Sequence, residues 1–537
     1  MQKKFFLFLI LIANLLVGRG LADEACLNCH QGFRSSCGLT CDDCHRTSPP
    51  GELTALPDHP AVIRNPSMPQ HWQQKCAACH QQQIDRFKNS LHYSAAGVIV
   101  QTRYLLGRTA TLNFTHAQEL WRELTTLQPD SGHGTAALAD RLLTQKCLAC
   151  HFAADARQAG AGKKRAAGCA ACHVPFDQQS GEPLHGHRMQ RAVSDTTCLT
   201  CHNGNHVGGD YYGYFEHDYR NEYQSPYGSK PWFDAYQHRL QSDVHRQAGM
   251  RCTDCHKNGH GYDDGSAHRY EGQHQSITCE KCHGGFKQQP KVTDPETPRF
   301  RRDIVAHKSF HSRVTCIACH AGWSYQDYGL HLFLDESNHY QPWEDFLWQG
   351  DFAITRLLQK QLSLSPEKRT PARTPNRLNG QPLPGAWYKA WTFRRWEGVV
   401  LGKDAQGNYA PIRPLYQFHI TYVDSQDNVW LDSAIPQTAN GKKGWNWDAY
   451  TPHTVTGKAQ SCEGCHGNPL AAGLGIRNSA NDRVAHPITI PDPPILPGAR
   501  LLNAQEQKKL LGSSEKYKKW RARAYKEQGM LKLFESR

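Results

Sequence analysis

The sequence repeats one short motif, Cys-x-x-Cys-His, ten times in 537 residues, and no other feature constrains the fold as strongly. The ten motifs use 20 of the 21 cysteines, and only Cys37 lies outside them. We number the motifs 1 to 10 in chain order: Cys26/Cys29/His30, Cys41/Cys44/His45, Cys76/Cys79/His80, Cys147/Cys150/His151, Cys169/Cys172/His173, Cys198/Cys201/His202, Cys252/Cys255/His256, Cys279/Cys282/His283, Cys316/Cys319/His320 and Cys462/Cys465/His466.

This spacing is typical of covalent haem attachment. The two thiols add to the two vinyl groups of one haem, and the adjacent histidine reaches the iron from the same turn of chain. Zinc sites made from cysteine pairs group them in fours and need no histidine after each second cysteine. The repeat therefore predicts about ten covalently bound c-type haems, with the motif cysteines as attachment points and the motif histidines as iron ligands.

The composition agrees with such a chain. Only 39% of the residues are hydrophobic, so the polypeptide alone would fill a large core poorly. Nine motifs fall within residues 26–320, and the packed porphyrins would supply the missing apolar mass. We predict a multihaem cytochrome c fold: a haem-packed core with short α-helices and much irregular structure, plus a small β-rich module and a C-terminal helix.

The chain also carries more histidines than the motifs use. Of 31 histidines, 21 lie outside the motifs, about twice the number needed for one distal ligand per haem. Several stand close to a motif, and a histidine just upstream of one motif is expected to ligate a neighbouring haem rather than its own. The predicted distal ligands are His59, His71, His92, His187, His206, His217, His245, His268, His274, His307, His311 and His453.

Ligation by two histidines fills both axial positions of an iron. It favours electron transfer over chemistry at the metal, because no position is left for a substrate.

The chain divides by motif density and composition. An apolar run at 5–17 follows Lys3 and Lys4 and is too short to span a bilayer, which needs about 20 apolar residues. Aromatic residues and predicted strands near 396–401 and 416–423 fill the stretch without motifs, after a linker rich in proline and arginine near 365–385. We predict a signal peptide at 1–22, a nine-haem region at 23–320, a haem-free β-rich module at 321–460, the tenth haem segment at 461–490, and a proline linker with a basic C-terminal helix at 491–537.

The charge pattern argues against nucleic-acid binding. The formal charge is +13, and removing a signal peptide that holds Lys3, Lys4 and Arg19 leaves 13 − 3 = +10. Ten ferric haems, each with two propionates, would add about −10, so the basic polypeptide compensates its cofactors. The C-terminal tail has two interpretations: a helix that docks on an acidic partner or a membrane surface, or a solvated helix on the protein itself.

The chain resembles the large multihaem c-type cytochromes of metal-reducing and sulfur-cycling bacteria. The segments that carry the likeness are 168–176, 242–256, 452–455 and 460–469. The resemblance implies export to the periplasm or the outer surface of a Gram-negative cell. It also implies redox partner proteins, such as a quinol-linked donor and other cytochromes, and allows a homo-oligomer or filament.

Two functional hypotheses remain open at this level. The first is an electron conduit toward an outer acceptor. The second, by a more distant resemblance to octahaem tetrathionate reductases and hydroxylamine oxidoreductases, is an oxidoreductase acting on a nitrogen or sulfur compound at one specialised haem. Cys37 is a weak catalytic candidate, and it could also pair with Cys41 or be incidental. The segment Asp327-Tyr-Gly-Leu-His331 is interpreted as a lost haem motif.

Overall fold

The computed structural model describes most of the chain between Cys37 and Gly512, and every structural statement below concerns these described residues. Haem motif 1 and the signal segment lie outside them. The described ranges are 37–46, 62–126, 132–154, 165–178, 181–205, 208–216, 231–256, 278–292, 294–326, 328–393, 396, 398–473, 496, 498–512 and 519.

Most of the helices are short, and many of them coincide with a motif. A single turn is enough to place two cysteines three residues apart on one face with the histidine next to the second. The α-helices are α1 Cys41–His45, α2 Trp72–Lys75, α3 Ala77–Lys88, α4 Leu91–Ser94, α5 Ala96–Leu105, α6 Leu120–Glu123, α7 Thr135–Gln145, α8 Ala170–His173, α9 Asp195–Leu199, α10 Val244–Gln247, α11 Cys252–Cys255, α12 Cys279–His283, α13 Cys316–His320, α14 Phe352–Leu362, α15 Cys462–Cys465 and α16 Ala504–Leu511.

Tight 3-10 turns supply further connections, and one of them forms motif 4. They span Pro69–His71, Ala117–Glu119, Leu124–Thr126, Cys147–Cys150, Leu184–His187, Gly209–Tyr212, Val305–His307, Ser309–His311, Gln341–Phe346 and Pro366–Lys368.

The sequence stabilises the short motif helices at their first turn. In α1 the Thr40 hydroxyl accepts from the Asp43 amide at 3.2 Å, and the Asp43 carboxylate accepts from the Thr40 amide at 2.8 Å. In α9 the Ser194 hydroxyl accepts from the Thr197 amide at 3.2 Å. Such caps satisfy amides that a one-turn helix would leave without partners.

The strands form two four-stranded sheets and two hairpins. The first sheet has the order β10-β9-β3-β6, in which β3 pairs in parallel with β9 and antiparallel with β6. The second sheet has the order β11-β8-β7-β12 and is antiparallel throughout. The strands are β1 Tyr214–Glu216, β2 Gln237–Arg239, β3 Tyr328–Asp335, β4 Arg373–Pro375, β5 Pro382–Pro384, β6 Ala386–Phe393, β7 Leu401–Asp404, β8 Tyr409–Leu415, β9 Phe418–Val423, β10 Val429–Ala434, β11 Asn446–Ala449 and β12 Ala499–Leu501.

The sequence also predicts turns at 403–408 and 424–428, and the structure confirms these turns, but the predicted strand ends shift. Asp404 ends β7 and Asp424 follows β9, and each carboxylate accepts amide hydrogen bonds from the residues two and four positions later, which closes turns at 404–408 and 424–428. Strand β7 begins at Leu401 rather than near residue 396. Strand β9 begins at Phe418 because Tyr416 has a left-handed φ of 57° that ends the extended run.

The segment near 365–385 was predicted to be a linker, and that prediction is wrong. Its second half folds into the β4–β5 hairpin, in which Thr374, Asn376 and Arg377 are buried against α7. The Arg377 Nε donates to the Gln145 carbonyl at 2.7 Å, and the Gln145 amide donates to the Thr374 hydroxyl at 2.9 Å. The proline- and arginine-rich composition was misleading here, because the Arg377 guanidinium donates to a helix carbonyl and does not face solvent.

The region rich in motifs and the β-rich region share one hydrophobic core. Leu138 and Leu142 of α7 pack with Leu334 of β3, Trp387 of β6 and Ile420 of β9, and all five side chains are buried. The β-rich region is therefore part of the framework that holds the motifs. None of the described helices is long and apolar enough to cross a membrane.

Gly168, directly before motif 5, permits a close approach between two motif segments. Its φ is +67°, and a Cβ added there would lie 2.0 Å from the Ser67 carbonyl oxygen, while the Cys169 amide donates to that same oxygen at 3.1 Å. Only glycine fits this position, since it lacks the atom that would collide.

Gly168→Ala should therefore destabilise the protein well beyond the cost of a left-handed alanine, which is about 1–2 kcal/mol. The matched control is Gly38→Ala, because Gly38 has φ +69° and nothing within 4 Å of an added Cβ. We expect guanidinium unfolding followed by circular dichroism to show an additional loss of about 1–3 kcal/mol for Gly168→Ala. Equal losses for the two variants would contradict the close approach.

Candidate haem-binding sites

Six motif histidines each lie beside a histidine from another part of the chain. The ring centroids are 5.9 to 6.4 Å apart in every pair. The pairs are His45–His187 at 6.4 Å, His202–His92 at 6.1 Å, His256–His453 at 6.3 Å, His283–His245 at 5.9 Å, His320–His307 at 6.4 Å and His466–His311 at 6.1 Å.

This separation fits an iron between two imidazoles. A metal–nitrogen bond is about 2 Å long and the ring centre lies about 1 Å behind the nitrogen, so two ligating rings need centroids roughly 6 Å apart. Direct stacking or a direct hydrogen bond would bring two imidazoles closer. Every non-motif member of these pairs is one of the predicted distal ligands.

The hydrogen bonds of the paired rings also suit metal binding. The Nδ1–H of His45 donates to the Ile63 carbonyl at 2.8 Å, that of His283 to the Pro298 carbonyl at 2.7 Å, and that of His466 to the Leu510 carbonyl at 3.0 Å. A proton held on Nδ1 leaves the Nε2 lone pair available, and such anchoring is the usual support of a ligating histidine.

The two histidines that precede motif 9 lie beside the histidines of two different motifs. His307 and His311 end successive 3-10 turns, and their Nδ1 atoms contact the carbonyls of Arg301 at 2.8 Å and Ala306 at 2.9 Å. His307 lies beside His320 of motif 9, whereas His311 lies beside His466 of motif 10. The expectation that a histidine just upstream of a motif pairs with a neighbouring motif therefore holds for His311 and is wrong for His307, which lies beside its own motif.

His245 gives the same kind of link between motifs 7 and 8. It sits on α10, seven residues before Cys252, and its ring lies beside His283 of motif 8. The Asp243 carboxylate accepts from His245 Nδ1 at 2.8 Å, which raises the pKa of the imidazole. Asp243 is itself buried, so this carboxylate is a fixed negative charge behind the ring.

His453 comes from far along the chain and is held by two buried aspartates. The Asp210 carboxylate accepts from the His453 amide at 2.9 Å, and the Asp243 carboxylate accepts from the Val455 amide at 2.7 Å. The Val244 amide also donates to the Val455 carbonyl at 2.9 Å. These contacts dock segment 453–455 against the motif 7 region and place His453 beside His256.

The histidines of motifs 3 and 5 differ in their surroundings. His173 of motif 5 has its Nδ1 2.8 Å from the Gln190 carbonyl, the same anchoring as in the paired motifs. His80 of motif 3 is exposed at a kink inside α3, where φ is −122° and ψ is 21°. His71, a predicted distal ligand, ends the 3-10 turn Pro69–His71 just before the buried Trp72.

Motif 4 differs from the paired motifs in the orientation of its histidine. His151 is only 5% exposed, and its Nε2 lies 3.0 Å from the Tyr93 carbonyl oxygen. The ring contacts Trp121 and Phe152, with centroid distances of 4.9 and 4.8 Å. Burial among these aromatic rings lowers the pKa of His151 to about 4.

The cysteines of most described motifs lie close to one another in a continuous order. Burial, together with the thiols of neighbouring motifs, raises the pKa of Cys169 and Cys172 to about 12. The neighbours are Cys44 with Cys76 for motifs 2 and 3, Cys76 with Cys169 for motifs 3 and 5, Cys172 with Cys198 and Cys201 for motifs 5 and 6, Cys198 with Cys252 for motifs 6 and 7, Cys279 with Cys316 for motifs 8 and 9, and Cys319 with Cys462 for motifs 9 and 10.

Motifs 7 and 8 are connected by the His245–His283 pair, so the order runs 2-3-5-6-7-8-9-10. Motif 4 lies beside motifs 3, 5 and 6, because Cys147 packs against the same hydrophobic cluster as Cys76 and Cys169 and the Cys201 thiol of motif 6 contacts the Cys150 carbonyl at 3.4 Å.

Among the predicted attachment cysteines, Cys79 of motif 3 and Cys282 of motif 8 are not part of these thiol neighbour pairs. Cys79 is exposed at the kinked start of α3, where its amide donates to the Cys76 carbonyl at 3.2 Å. Cys282 is half-buried, and its carbonyl accepts from Arg299 Nη1 at 2.9 Å. In both motifs the first cysteine therefore lies beside a cysteine of the neighbouring motif, whereas the backbone of the second is held by hydrogen bonds close to its own motif. Cys79 and Cys282 remain predicted attachment points on motif spacing alone.

Several predicted residues lie outside the described part of the chain. They are Cys26, Cys29 and His30 of motif 1, the candidate distal ligands His59, His206, His217, His268 and His274, and Asp327.

The segment interpreted as a lost motif leads into a strand. His331 is in β3, where its Nε2 lies 2.8 Å from the Thr421 hydroxyl of β9. Cys37 is exposed in a left-handed turn. Burial raises the pKa values of Cys44 and Cys76, and the nearby Cys37 thiol contributes to the rise.

Sequence reasoning missed the partners that orient these residues, because no local pattern marks them. They are backbone carbonyls, Asp210 and Asp243, and the buried Arg165, whose Nη2 donates to the carbonyls of Ala149 at 2.7 Å and His151 at 3.2 Å. The Arg165 Nε is buried without a hydrogen-bond partner. A buried guanidinium that contacts carbonyls suits a bound anionic group such as a haem propionate.

Comparison with known proteins supports the same cofactor. Residues 244–329 match the family model described as cytochrome c3, a stretch that includes motifs 7, 8 and 9 and begins next to His245. No curated protein and no solved structure matches the chain. The match over this stretch supports a multihaem c-type cytochrome in kind, with covalently bound haem.

Proposed function

We propose that this chain is an exported electron-transfer protein that carries about ten covalently attached c-type haems, most of them held between two histidines. The observation that carries the proposal is the set of six histidine pairs, each with ring centroids roughly 6 Å apart. Each pair joins a motif histidine to a ring from a different segment, as iron ligation from both sides requires.

Under this proposal the distal ligands of motifs 2, 6, 7, 8, 9 and 10 are His187, His92, His453, His245, His307 and His311. When bound, haem c supplies a one-electron iron couple. Nδ1 contacts hold rings of these pairs in place, as at His45, His245 and His311, and two imidazoles bound to one iron would leave it no position for a substrate.

The order of the motifs supports electron transfer along the chain. The thiols of Cys198 and Cys252 share a hydrogen bond, as do those of Cys279 and Cys316, so the attachment points of successive motifs touch. Cofactors attached at touching points are close to each other, and closeness is what electron exchange between them needs. His245 and His311 join successive motifs further, because each lies beside one motif in sequence and contacts another in space.

We place the protein in the periplasm or on the outer cell surface, with other redox proteins as partners.

The surface beside motif 10 suits an acidic partner protein. Leu510 of α16 accepts from His466 and packs near Cys465, while Lys508 and Lys509 are exposed on the same helix. A lysine pair beside a redox site attracts negative protein surfaces at low ionic strength. A homo-oligomer or filament is a variant in which the partner is a second copy.

The direct test of the proposed function is the haem content and redox activity of the exported protein. Intact mass should exceed that of the mature polypeptide by about ten haem groups, and voltammetry should show reversible one-electron reactions spread over a broad potential range. A mass without covalent haem would refute the proposal.

His311→Ala tests the pairing of one distal ligand. The variant should convert about one haem equivalent from a low-spin to a high-spin ferric signal in electron paramagnetic resonance, because motif 10 loses one of its two imidazoles. His116→Ala is the control, since His116 is exposed and belongs to none of the six pairs. Identical spectra for the two variants would contradict the assignment.

Asp243→Asn tests the fixed charge behind His245. A carboxylate that accepts from Nδ1 makes the imidazole a stronger donor and stabilises the ferric state, so its removal should raise the reduction potential of one haem. Spectropotentiometric titration would show one component moving to a more positive value. The same charge change at the exposed Asp85, Asp85→Asn, should leave the titration unaltered, and a matching shift there would show a nonspecific charge effect.

A further inference from the structure

The distal histidines of motifs 8, 9 and 10 differ in the group that holds their Nδ1 atoms. In motif 8 the buried Asp243 carboxylate accepts from His245 at 2.8 Å. In motifs 9 and 10 backbone carbonyls accept from His307 at 2.8 Å and from His311 at 2.9 Å. The motif histidine of each site lies 2.7 to 3.3 Å from a carbonyl in all three cases. These three sites therefore differ on the distal side, where motif 8 has a full negative charge and motifs 9 and 10 have neutral dipoles.

Motif 7 has a second buried carboxylate behind its distal histidine. Asp210 is 2% exposed, and its Oδ1 lies 3.7 Å from His453 Nδ1 while its Oδ2 accepts from the His453 amide at 2.9 Å. Asp243 also acts on this site, because its Oδ2 accepts from the Val455 amide at 2.7 Å and so fixes the segment that carries His453. Among the described residues, neither carboxylate forms an ion pair with an arginine or a lysine. Motifs 7 and 8 thus have fixed negative charges behind their distal rings.

A carboxylate behind a ligating imidazole favours the ferric state of the iron. It makes the ring a stronger donor, and its negative charge opposes the arrival of an electron. Burial weakens the screening of that charge by the ions of the solvent. A backbone carbonyl has a smaller effect, because it carries no net charge. The haems of motifs 7 and 8 should therefore have lower reduction potentials than those of motifs 9 and 10.

The surface beside motifs 9 and 10 carries the opposite charge. Lys403 lies among Arg313, Arg500 and Lys509, and burial together with these cations lowers the pKa of Lys403, although Glu506 opposes the shift. The Glu506 carboxylate is bonded to Arg500 at 2.6 Å. We call Arg313, Lys403, Arg500 and Lys509 the basic cluster, and it keeps a net positive charge after this ion pair is counted.

Backbone contacts join the basic cluster to both motifs. The Tyr409 amide donates to the Arg313 carbonyl at 2.8 Å, and the Thr315 amide, just before Cys316 of motif 9, donates to the Tyr409 carbonyl at 2.9 Å. The Leu510 carbonyl, next to Lys509, lies 3.0 Å from His466 Nδ1 of motif 10. Cations near a haem stabilise its reduced state, and they also attract the acidic surface of a partner.

We propose that the reduction potential rises from the haems of motifs 7 and 8 to those of motifs 9 and 10, and that electrons leave beside the basic cluster to an acidic acceptor protein. This inference rests on the proposed electron-transfer function and gives that function a direction. Each transfer oxidises one ferrous haem of the chain and reduces the acceptor by one electron, so the acceptor must hold a one-electron centre such as another haem.

The first experiment orders the sites by spectropotentiometric titration of the holoprotein. Replacing a distal imidazole by a thioether raises the potential of that haem, so His245→Met marks the component of motif 8 and His311→Met marks that of motif 10. The component that moves in His245→Met should have a lower wild-type potential than the component that moves in His311→Met. The reverse order would overturn the proposal.

The second experiment decides the matter if a methionine variant fails to fold or attach haem. Asp210→Asn and Asp243→Asn should each move one component to a more positive potential, and the double variant should move both, whereas Asp85→Asn at an exposed position should move none. The components that move should come from the lower half of the wild-type titration. Movement of components from the upper half would contradict the proposed order.

The third experiment tests where electrons leave, with ferricyanide as an anionic one-electron oxidant of the fully reduced protein. Lys508→Glu/Lys509→Glu should slow the fastest phase of oxidation roughly fivefold at low ionic strength and should have little effect at high ionic strength. The matched control is Arg86→Glu/Lys88→Glu, which reverses two exposed cations beside motif 3. Equal slowing in both variants, or slowing in the control alone, would refute an exit beside motif 10.

Failure of this inference can be distinguished from failure of the proposed function. About ten covalent haems, with those of motifs 7 and 8 at higher potentials than those of motifs 9 and 10, would refute the direction and leave electron transfer standing. An exported protein without covalent haem would refute both.

Discussion

The proposed placement of two imidazoles on opposite sides of one iron is the constraint on which the rest of this structure depends. Under that proposal the two rings of each pair come from different segments, and their centres would need to be roughly 6 Å apart with both Nε2 atoms facing the iron. Backbone carbonyls meet this demand by fixing Nδ1, as Ile63 does for His45 and Leu510 does for His466. A chain whose segments must supply carbonyls at such points has little room for long helices, which explains the one-turn helices and tight 3-10 turns around the motifs.

The β-rich region follows from the same constraint. It begins after motif 9 and returns the chain to motif 10, where the Gln460 amide donates to the Cys319 carbonyl at 2.7 Å. Strand β12 pairs with β7 and brings the segment before α16 onto the sheet. The sheets therefore act as a rigid spacer that carries His453 and motif 10 back to motifs 7 and 9. They also share a buried core with α7, so motif 4 is mounted directly on this spacer.

The sequence predicted those features that are determined by residues close together along the chain. Motif spacing indicated the attachment points, and proximity to a motif identified His245, His307 and His311 as candidate ligands that the structure brings beside motif rings. Asp404 and Asp424 marked their turns, because an aspartate carboxylate binds amides two and four residues ahead. The pairing of His45 with His187 and of His256 with His453 could not be derived, since it depends on contacts between distant segments such as those of Asp210 and Asp243. The buried hairpin at 373–384 was not predicted. Composition does not show that Arg377 forms an ion pair with Asp351 and donates to a helix carbonyl.

Motif 4 shows how far one repeated motif can be altered by its surroundings. Its residues, Cys147-Leu-Ala-Cys-His151, are indistinguishable by spacing from the other nine, yet the histidine is turned by one carbonyl and two aromatic rings. An imidazole that donates from Nε2 cannot also offer that nitrogen to a metal, so the same five-residue repeat can build a site of different coordination. Motifs 2, 8 and 10 instead place a carbonyl at Nδ1 and so leave Nε2 available to the iron.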